Sequence, residues 1–224
     1  LIKETIYYMK LTKLFILLTL PTLTFGQMKQ SAFVFGPKIG VQMTKVKIID
    51  NPTAIVSKNR FDFNGGAFAR FNLGDFSIQP EVMYQEKGAN LSGEGTQQQS
   101  YQYLSTPLIF GYKIAKGINL ELGPEYSWAL NAGAADEDRN IFGPDAATDV
   151  ALVVGTRIDM LDALSMFSIN LRYIHGFNNV TNRTSTAIPP VPLDFRNRTI
   201  QFSISYNFSE YYKWWKKYGD KKKK

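Results

Sequence analysis

The sequence has no cysteine and a single histidine, His175. The first absence excludes a disulfide framework, a thiolate metal site and a cysteine-borne lipid anchor at the N-terminus. The second excludes zinc held by several imidazoles. Long apolar runs are scarce too. The one candidate, Leu14 to Leu20 behind Met9-Lys10-Leu11-Thr12-Lys13, is shorter than the roughly 17 residues a spanning helix needs. It closes on Thr24-Phe25-Gly26, the pattern of a signal peptide cleaved before Gln27. Residues 1–26 are therefore expected to be an upstream extension and signal peptide, with Leu1 to Tyr8 placed as a misplaced translation start would be. With no later apolar run of spanning length, a β-barrel is the one form in which the rest could cross a membrane.

Basic charge is plentiful in total, with a net charge of +7 and a pI of 9.4, but absent from the body of the chain. Residues 1–26 carry +2 and those after Ser209 carry +5, which leaves residues 27–209 neutral. A nucleic-acid partner, which needs a basic face, is excluded by that distribution.

What the chain does have is alternation. In Thr199 to Phe208, the residues Ile200, Phe202, Ile204, Tyr206 and Phe208 alternate with Thr199, Gln201, Ser203, Ser205 and Asn207, so an extended backbone carries one apolar and one polar face. The same period returns seven times upstream, around Phe35–Thr44, Phe61–Leu73, Phe76–Gln85, Tyr101–Ile114, Ile118–Trp128, Asp149–Asp159 and Phe167–Tyr173. Short turns at Leu73-Gly74-Asp75, at Lys116-Gly117 and near Asp162 alternate with long linkers at Val46 to Arg60, Lys87 to Ser100, Asn131 to Asp145 and Phe177 to Asn197. That rhythm marks an outer-membrane barrel with tight periplasmic turns and long external loops.

The polar faces hold Lys38, Arg70, Lys113, Arg157 and Arg172 against Asp62, Glu81, Glu121, Glu125 and Asp149. A dry sandwich core would not tolerate them unpaired, since burying a lone charge costs several kcal/mol. Eight strands enclose only enough space for side chains to fill. The expectation is a salt-bridged plug in place of a conducting channel. The fold class is thus all-β, an eight-stranded antiparallel transmembrane β-barrel of the outer membrane. The barrel is expected to span residues 27–209, followed by a basic aromatic periplasmic tail at 210–224.

Four segments carry a family resemblance: Phe35-Gly36-Pro37-Lys38-Ile39-Gly40, Ile78-Gln79-Pro80-Glu81 with Tyr84 and Lys87-Gly88, Tyr103-Leu104-Ser105-Thr106-Pro107-Leu108, and Leu122-Gly123-Pro124-Glu125-Tyr126. Together they resemble the PorT-like outer-membrane beta-barrel domain family of Bacteroidetes-type bacteria over Phe33 to Phe208. Ser105-Thr106 depart from the acidic and aliphatic pair common there. The resemblance implies an outer-membrane protein without a defined activity, loosely tied to secretion, and hence an envelope or secretion protein partner. Tyr206-Asn207-Phe208 is similar to the strand end read by barrel-assembly machinery, a partner expected during insertion.

Individual sites are weighed against plainer roles. His175 points outward near the external end, so an interfacial girdle residue is favoured over an acid-base group; Ser165 and Thr181 are the companions a lipid A-modifying enzyme would need. Asp136, Glu137, Asp138 and Asp145 form an acidic loop without the spacing of a dedicated calcium site. The tail, with Tyr211, Tyr212, Trp214, Trp215 and Tyr218 among lysines, suits the headgroup zone of the outer-membrane lipid. No catalytic, cofactor-binding or metal residue is assigned, and no cofactor. The expected role is a non-enzymatic structural or accessory component of the cell envelope. A narrow porin or solute transporter stands as the alternative, and a lipid A-modifying enzyme as a remote one.

Overall fold

A computed structural model describes residues 31–49, 55–92, 97–161, 164–182 and 192–218. The expected signal peptide lies outside these, as do Asp162 and the last residues of the tail. The strands are β1 (Phe33–Ile49), β2 (Val56–Lys58), β3 (Arg60–Leu73), β4 (Phe76–Ser92), β5 (Gln97–Ala115), β6 (Ile118–Ala129), β7 (Ala135–Asp136), β8 (Ile141–Phe142), β9 (Thr148–Asp159), β10 (Phe167–Gly176) and β11 (Asp194–Tyr206), followed by helix α1 (Phe208–Tyr218). Eight of the strands form an antiparallel sheet in the order β4-β3-β1-β11-β10-β9-β6-β5, and β5 pairs with β4 to close it. Closure leaves no edge among these eight strands, as a backbone in lipid requires.

The outer face is apolar and the inner face polar. Phe61 and Phe63 are 78% and 74% exposed, while Asp62 and Asn64, which alternate with them, are 5% and 4% exposed. Such an inverted pattern is stable only where the surroundings are hydrocarbon. Aromatic rings gather at both margins of the band. Phe76 and Tyr112 pair at 5.0 Å and Phe167 and Tyr206 at 5.3 Å at the short-turn end; Tyr126 and Trp128 pair at 4.7 Å near the loops. From Phe76 to Tyr84 the strand climbs about 27 Å, or roughly 20 Å along the axis at a tilt near 40°, close to the height of an outer-membrane apolar band.

The strands run well past that band, which corrects the expected linkers. Much of Val46 to Arg60 and every described residue of Lys87 to Ser100 is strand, since β1 continues to Ile49, β4 to Ser92, and β5 starts at Gln97. Within Asn131 to Asp145 lies the small β7–β8 hairpin, β8 running parallel to β5; and β11 begins at Asp194, ahead of the expected Thr199. The physical reason is an inversion of polarity. Above the band the outward positions are Lys45, Lys47, Asn90 and Gln102, facing water, and the inward ones are Val46, Leu91, Tyr101 and Phe195, buried. The period of 2 persists while its apolar face changes sides, so an apolar-outward template loses the strand where the structure keeps it.

The start of the expected tail is helical. Asn207 opens α1, its carbonyl accepting from the amides of Glu210 and Tyr211 at 3.2 and 3.1 Å. Glu210 in the first turn accepts the Ser31 amide at 2.8 Å, which ties the helix to the chain entering β1. Phe208, Tyr211, Tyr212 and Trp215 fall at i, i+3, i+4 and i+7 and are exposed along one stripe. Lys213 and Lys216 lie off that stripe, the arrangement of a helix lying in a membrane interface.

Candidate functional site: the filled lumen and the apolar head

Inward-facing side chains arise from the parity of each strand, and they meet across the barrel. On β4 the inward series is Gln79, Glu81, Met83, Gln85 and Lys87; on β9 it is Asp149, Ala151, Val153, Gly155, Arg157 and Asp159. The lower group, nearer the short turns, is one connected network. Lys38 on β1 reaches Glu81 at 3.1 Å, Arg172 on β10 reaches Glu81 at 2.8 Å and Glu121 on β6 at 2.8 Å, and Arg157 reaches Glu121 at 3.2 Å. Arg157 and Arg70 share Asp159, at 3.0 and 3.3 Å. Gln79, Asn119 and Ser168 add hydrogen bonds to Arg70, Glu81 and Asp159.

Two of these contacts span the diameter. β4 and β10 lie four strands apart whichever way the ring is counted, and so do β3 and β9. Arg172–Glu81 and Arg70–Asp159 are therefore struts across the lumen. The residues they join are buried to within a few per cent, so each charge depends on its partners for the solvation it has lost.

Above this network, along the strands, comes an apolar patch of Ile109, Ala151, Val153 and Ile174, with Met83 on the β4 wall. A second polar group follows. Lys87 reaches Glu125 at 2.7 Å and lies 5.2 Å from the centre of the Tyr103 ring. Gln85 and Ser127 also donate to Glu125, at 3.1 and 3.3 Å, and Asn197 donates to Asp149 at 2.8 Å. At the loop end the interior turns apolar, where Val46, Ala89, Leu91, Tyr101, Tyr103, Val180, Leu193 and Phe195 form one buried cluster. The lumen thus holds a lower charged network, an apolar patch on the β5, β9 and β10 wall, an upper charged group and an apolar cluster at the loop end, where the sequence pattern predicts one charged plug.

One expected inward charge lies outside the lumen, and one charge expected in a loop lies within it. Lys113 is exposed at the short-turn mouth, beside a register shift between Lys113 and Ala115, and stands outside the network. Lys87, assigned to a loop by sequence, is inside and 1% exposed. Its parity with Glu81 and Gln85 is the signal that finds it. Asp62, as expected inward, pairs with Arg60 at 2.7 Å and accepts from Thr44.

The candidate chemical residues do not converge. His175 sits on the outer face between Tyr173 and Phe177, with ring centres at 6.2 and 5.3 Å. Ser165 precedes β10, at the other end of the strand from His175, about 30 Å away along an extended chain. Thr181 is buried in the loop-end head, its hydroxyl donating to Asp145 at 3.0 Å. Asp145 also accepts the Asn182 amide, while Asp136 lies 3.8 Å from Arg139, so the acidic loop is split between two sets of partners. Among the described residues no three His, Asp or Glu side chains come together as a metal would need.

No curated protein matches the chain. Among solved structures, Ail, the attachment invasion locus protein of Yersinia pestis solved in complex with the heparin analogue sucrose octasulfate, is 16% identical, with 79% of this chain and 99% of that one covered and a TM-score of 0.44. Neisserial surface protein A is 9% identical, over 79% of this chain and 97% of that one, with a TM-score of 0.44. The outer membrane protein AlkL, solved in lipid bilayers, is 12% identical over 82% and 95%, with a TM-score of 0.43. The model of the outer membrane protein beta-barrel domain family matches residues 25–182. The closed eight-stranded barrel, its lipid-facing band and this match lead to one conclusion: the chain belongs to the outer membrane protein beta-barrel domain family and is a protein of the bacterial outer membrane.

Proposed function

We propose that this protein is a non-enzymatic structural or accessory component of the cell envelope, which acts through its surface and not by passing solute through its lumen. The observation that carries this reading is the pair of struts, Arg172–Glu81 and Arg70–Asp159, that cross the barrel diameter. An open path would need both broken, and each break would leave buried charge without its partner. At the loop end the strands extend beyond the band and close over an apolar cluster, which favours a rigid external platform for recognition. The resemblance of the Ile78-to-Gly88 and Tyr103-to-Leu108 segments to the PorT-like family adds a link to secretion as the finer reading. Its partner is then an envelope or secretion protein, and barrel-assembly machinery inserts it.

In-cell crosslinking of the tagged protein, followed by purification from the outer membrane and mass spectrometry, tests this. Crosslinks from the external head to a defined set of envelope proteins are expected. Recovery of the barrel alone, abundant and unpartnered, would overturn the accessory role.

A further inference from the structure

Past the apolar band, the outer face changes character on one sector only. The strand registers place Tyr173, Ile200, Met43 and Phe61 side by side across β10, β11, β1 and β3, the last apolar row. The next outward row is His175, Arg198 and Lys45, in register with one another, and the row beyond pairs Arg196 with Lys47. Two residues of strand separate successive rows, about 7 Å. Lys45 and Lys47, both exposed, therefore project sideways from the barrel at the depth where lipid headgroups begin, with the half-buried Arg196 and the buried Arg198 beside them.

Charge is not balanced there. Among the described outward positions of β1, β10 and β11 beyond the band, Asp194 is the one acid, and Arg196 already holds it at 2.6 Å. Arg198 is buried, 8% exposed, and held there by donating to the carbonyls of Gly176 and Asn197 at 2.7 and 2.8 Å. Lys45 and Lys47 are exposed. Across the barrel the corresponding outward positions are Glu86 and Asn90 on β4 and Gln98 and Gln102 on β5, so the basic sector faces a neutral to acidic one.

We propose that the exposed Lys45 and Lys47, with Arg196 beside them, the buried positive charge of Arg198 behind them and His175 at their border, form a binding site for the phosphate groups of an external-leaflet lipid. The lipid's acyl chains lie on the Tyr173–Ile200–Met43 row, and its phosphates meet the cations directly above. The exposed Lys45 and Lys47 reach the phosphates, and the fixed, buried charge of Arg198 behind them adds to the local positive potential. The position on the flank of the barrel, level with headgroups, selects a membrane lipid over a soluble polyanion. The site lies on the seam where the first and last strands meet, so a bound lipid also braces barrel closure.

The test is native mass spectrometry of the detergent-solubilised full chain titrated with diphosphoryl lipid A and, in parallel, with the same lipid lacking both phosphates. Folding of each variant is checked by heat-modifiable migration on gels. The wild-type barrel is expected to retain the diphosphoryl lipid at least about tenfold more tightly than the dephosphorylated one, and the Lys45→Gln/Lys47→Gln variant to lose most of that preference. A Lys113→Gln variant, altered at the opposite mouth, is expected to keep it. Equal retention of the two lipids, or an unchanged preference in the Lys45→Gln/Lys47→Gln variant, would overturn the site. Capture of soluble heparin through the same lysines, without lipid discrimination, would overturn the lipid assignment in favour of a glycan.

Discussion

Arg172 and Glu81 face each other across the full diameter of the barrel and bond through both terminal guanidinium nitrogens, at 2.9 and 2.8 Å. Glu81 also holds Lys38, so one carboxylate answers two buried cations, one from β1 two strands away and one from the opposite wall. Replacing it with the neutral isostere, Glu81→Gln, is expected to destabilise the barrel by about 3–5 kcal/mol, because Lys38 and Arg172 stay buried with less compensation. Urea unfolding of the protein reconstituted in vesicles reads this; a cost under about 1 kcal/mol would mean the network is solvated.

Lys87 and Glu125 form a more isolated pair in the upper group. Lys87→Met alone is expected to cost about 3 kcal/mol, since Glu125 keeps its charge and loses its cation. Combined with Glu125→Gln, the total should fall clearly below the sum of the single changes, giving a coupling of about 1–3 kcal/mol in a double-mutant cycle. Additive losses would place the two residues in independent environments.

How much of this was legible in sequence follows from which solvent each strand face meets. Within the band, apolar residues such as Phe61, Leu122 and Phe202 sit at every second position, and the strand, its parity and its inward charges could be read directly. Lys38, Arg70, Arg157 and Arg172 fall where parity puts them. Above the band the apolar residues change face, so Val46 and Leu91 read as loop residues although they line the interior. Lys87 was lost with them. Cross-lumen partnership was not legible at all, because strands four apart in the ring share no sequence register. For His175 the outward position was readable, and the cationic row beside it emerges only when β11 and β1 are set in register.

The loop-end cluster is expected to hold the head together without governing insertion. Phe195→Ala removes a large side chain that is 1% exposed, at an expected cost of about 3–5 kcal/mol in local stability. Hydrogen exchange should quicken in β4 beyond Gln85 and in β5 before Tyr103, while the band strands stay protected. Faster exchange throughout the band would show the head and barrel to be a single cooperative unit.

Gly36 sits on the closing seam, where an added Cβ would collide with the Tyr206 carbonyl oxygen of β11 and meet its carbonyl carbon at 3.0 Å. The two backbones leave no room for a side chain. Gly36→Val is therefore expected to block closure, seen as loss of the heat-modifiable folded band on gels and degradation of the chain in the envelope. A normally folded Gly36→Val protein would mean the seam tolerates a wider spacing.

The most direct check of the filled lumen is single-channel recording of the purified wild-type barrel in a planar bilayer, beside a Glu81→Ala/Arg172→Ala variant lacking one strut. The wild type is expected to show no stepwise conductance under voltages at which an open porin conducts, because Arg172–Glu81 and Arg70–Asp159 cross the lumen and the apolar cluster closes its outer end. Reproducible openings of the wild-type protein would contradict this and would make the lumen a path.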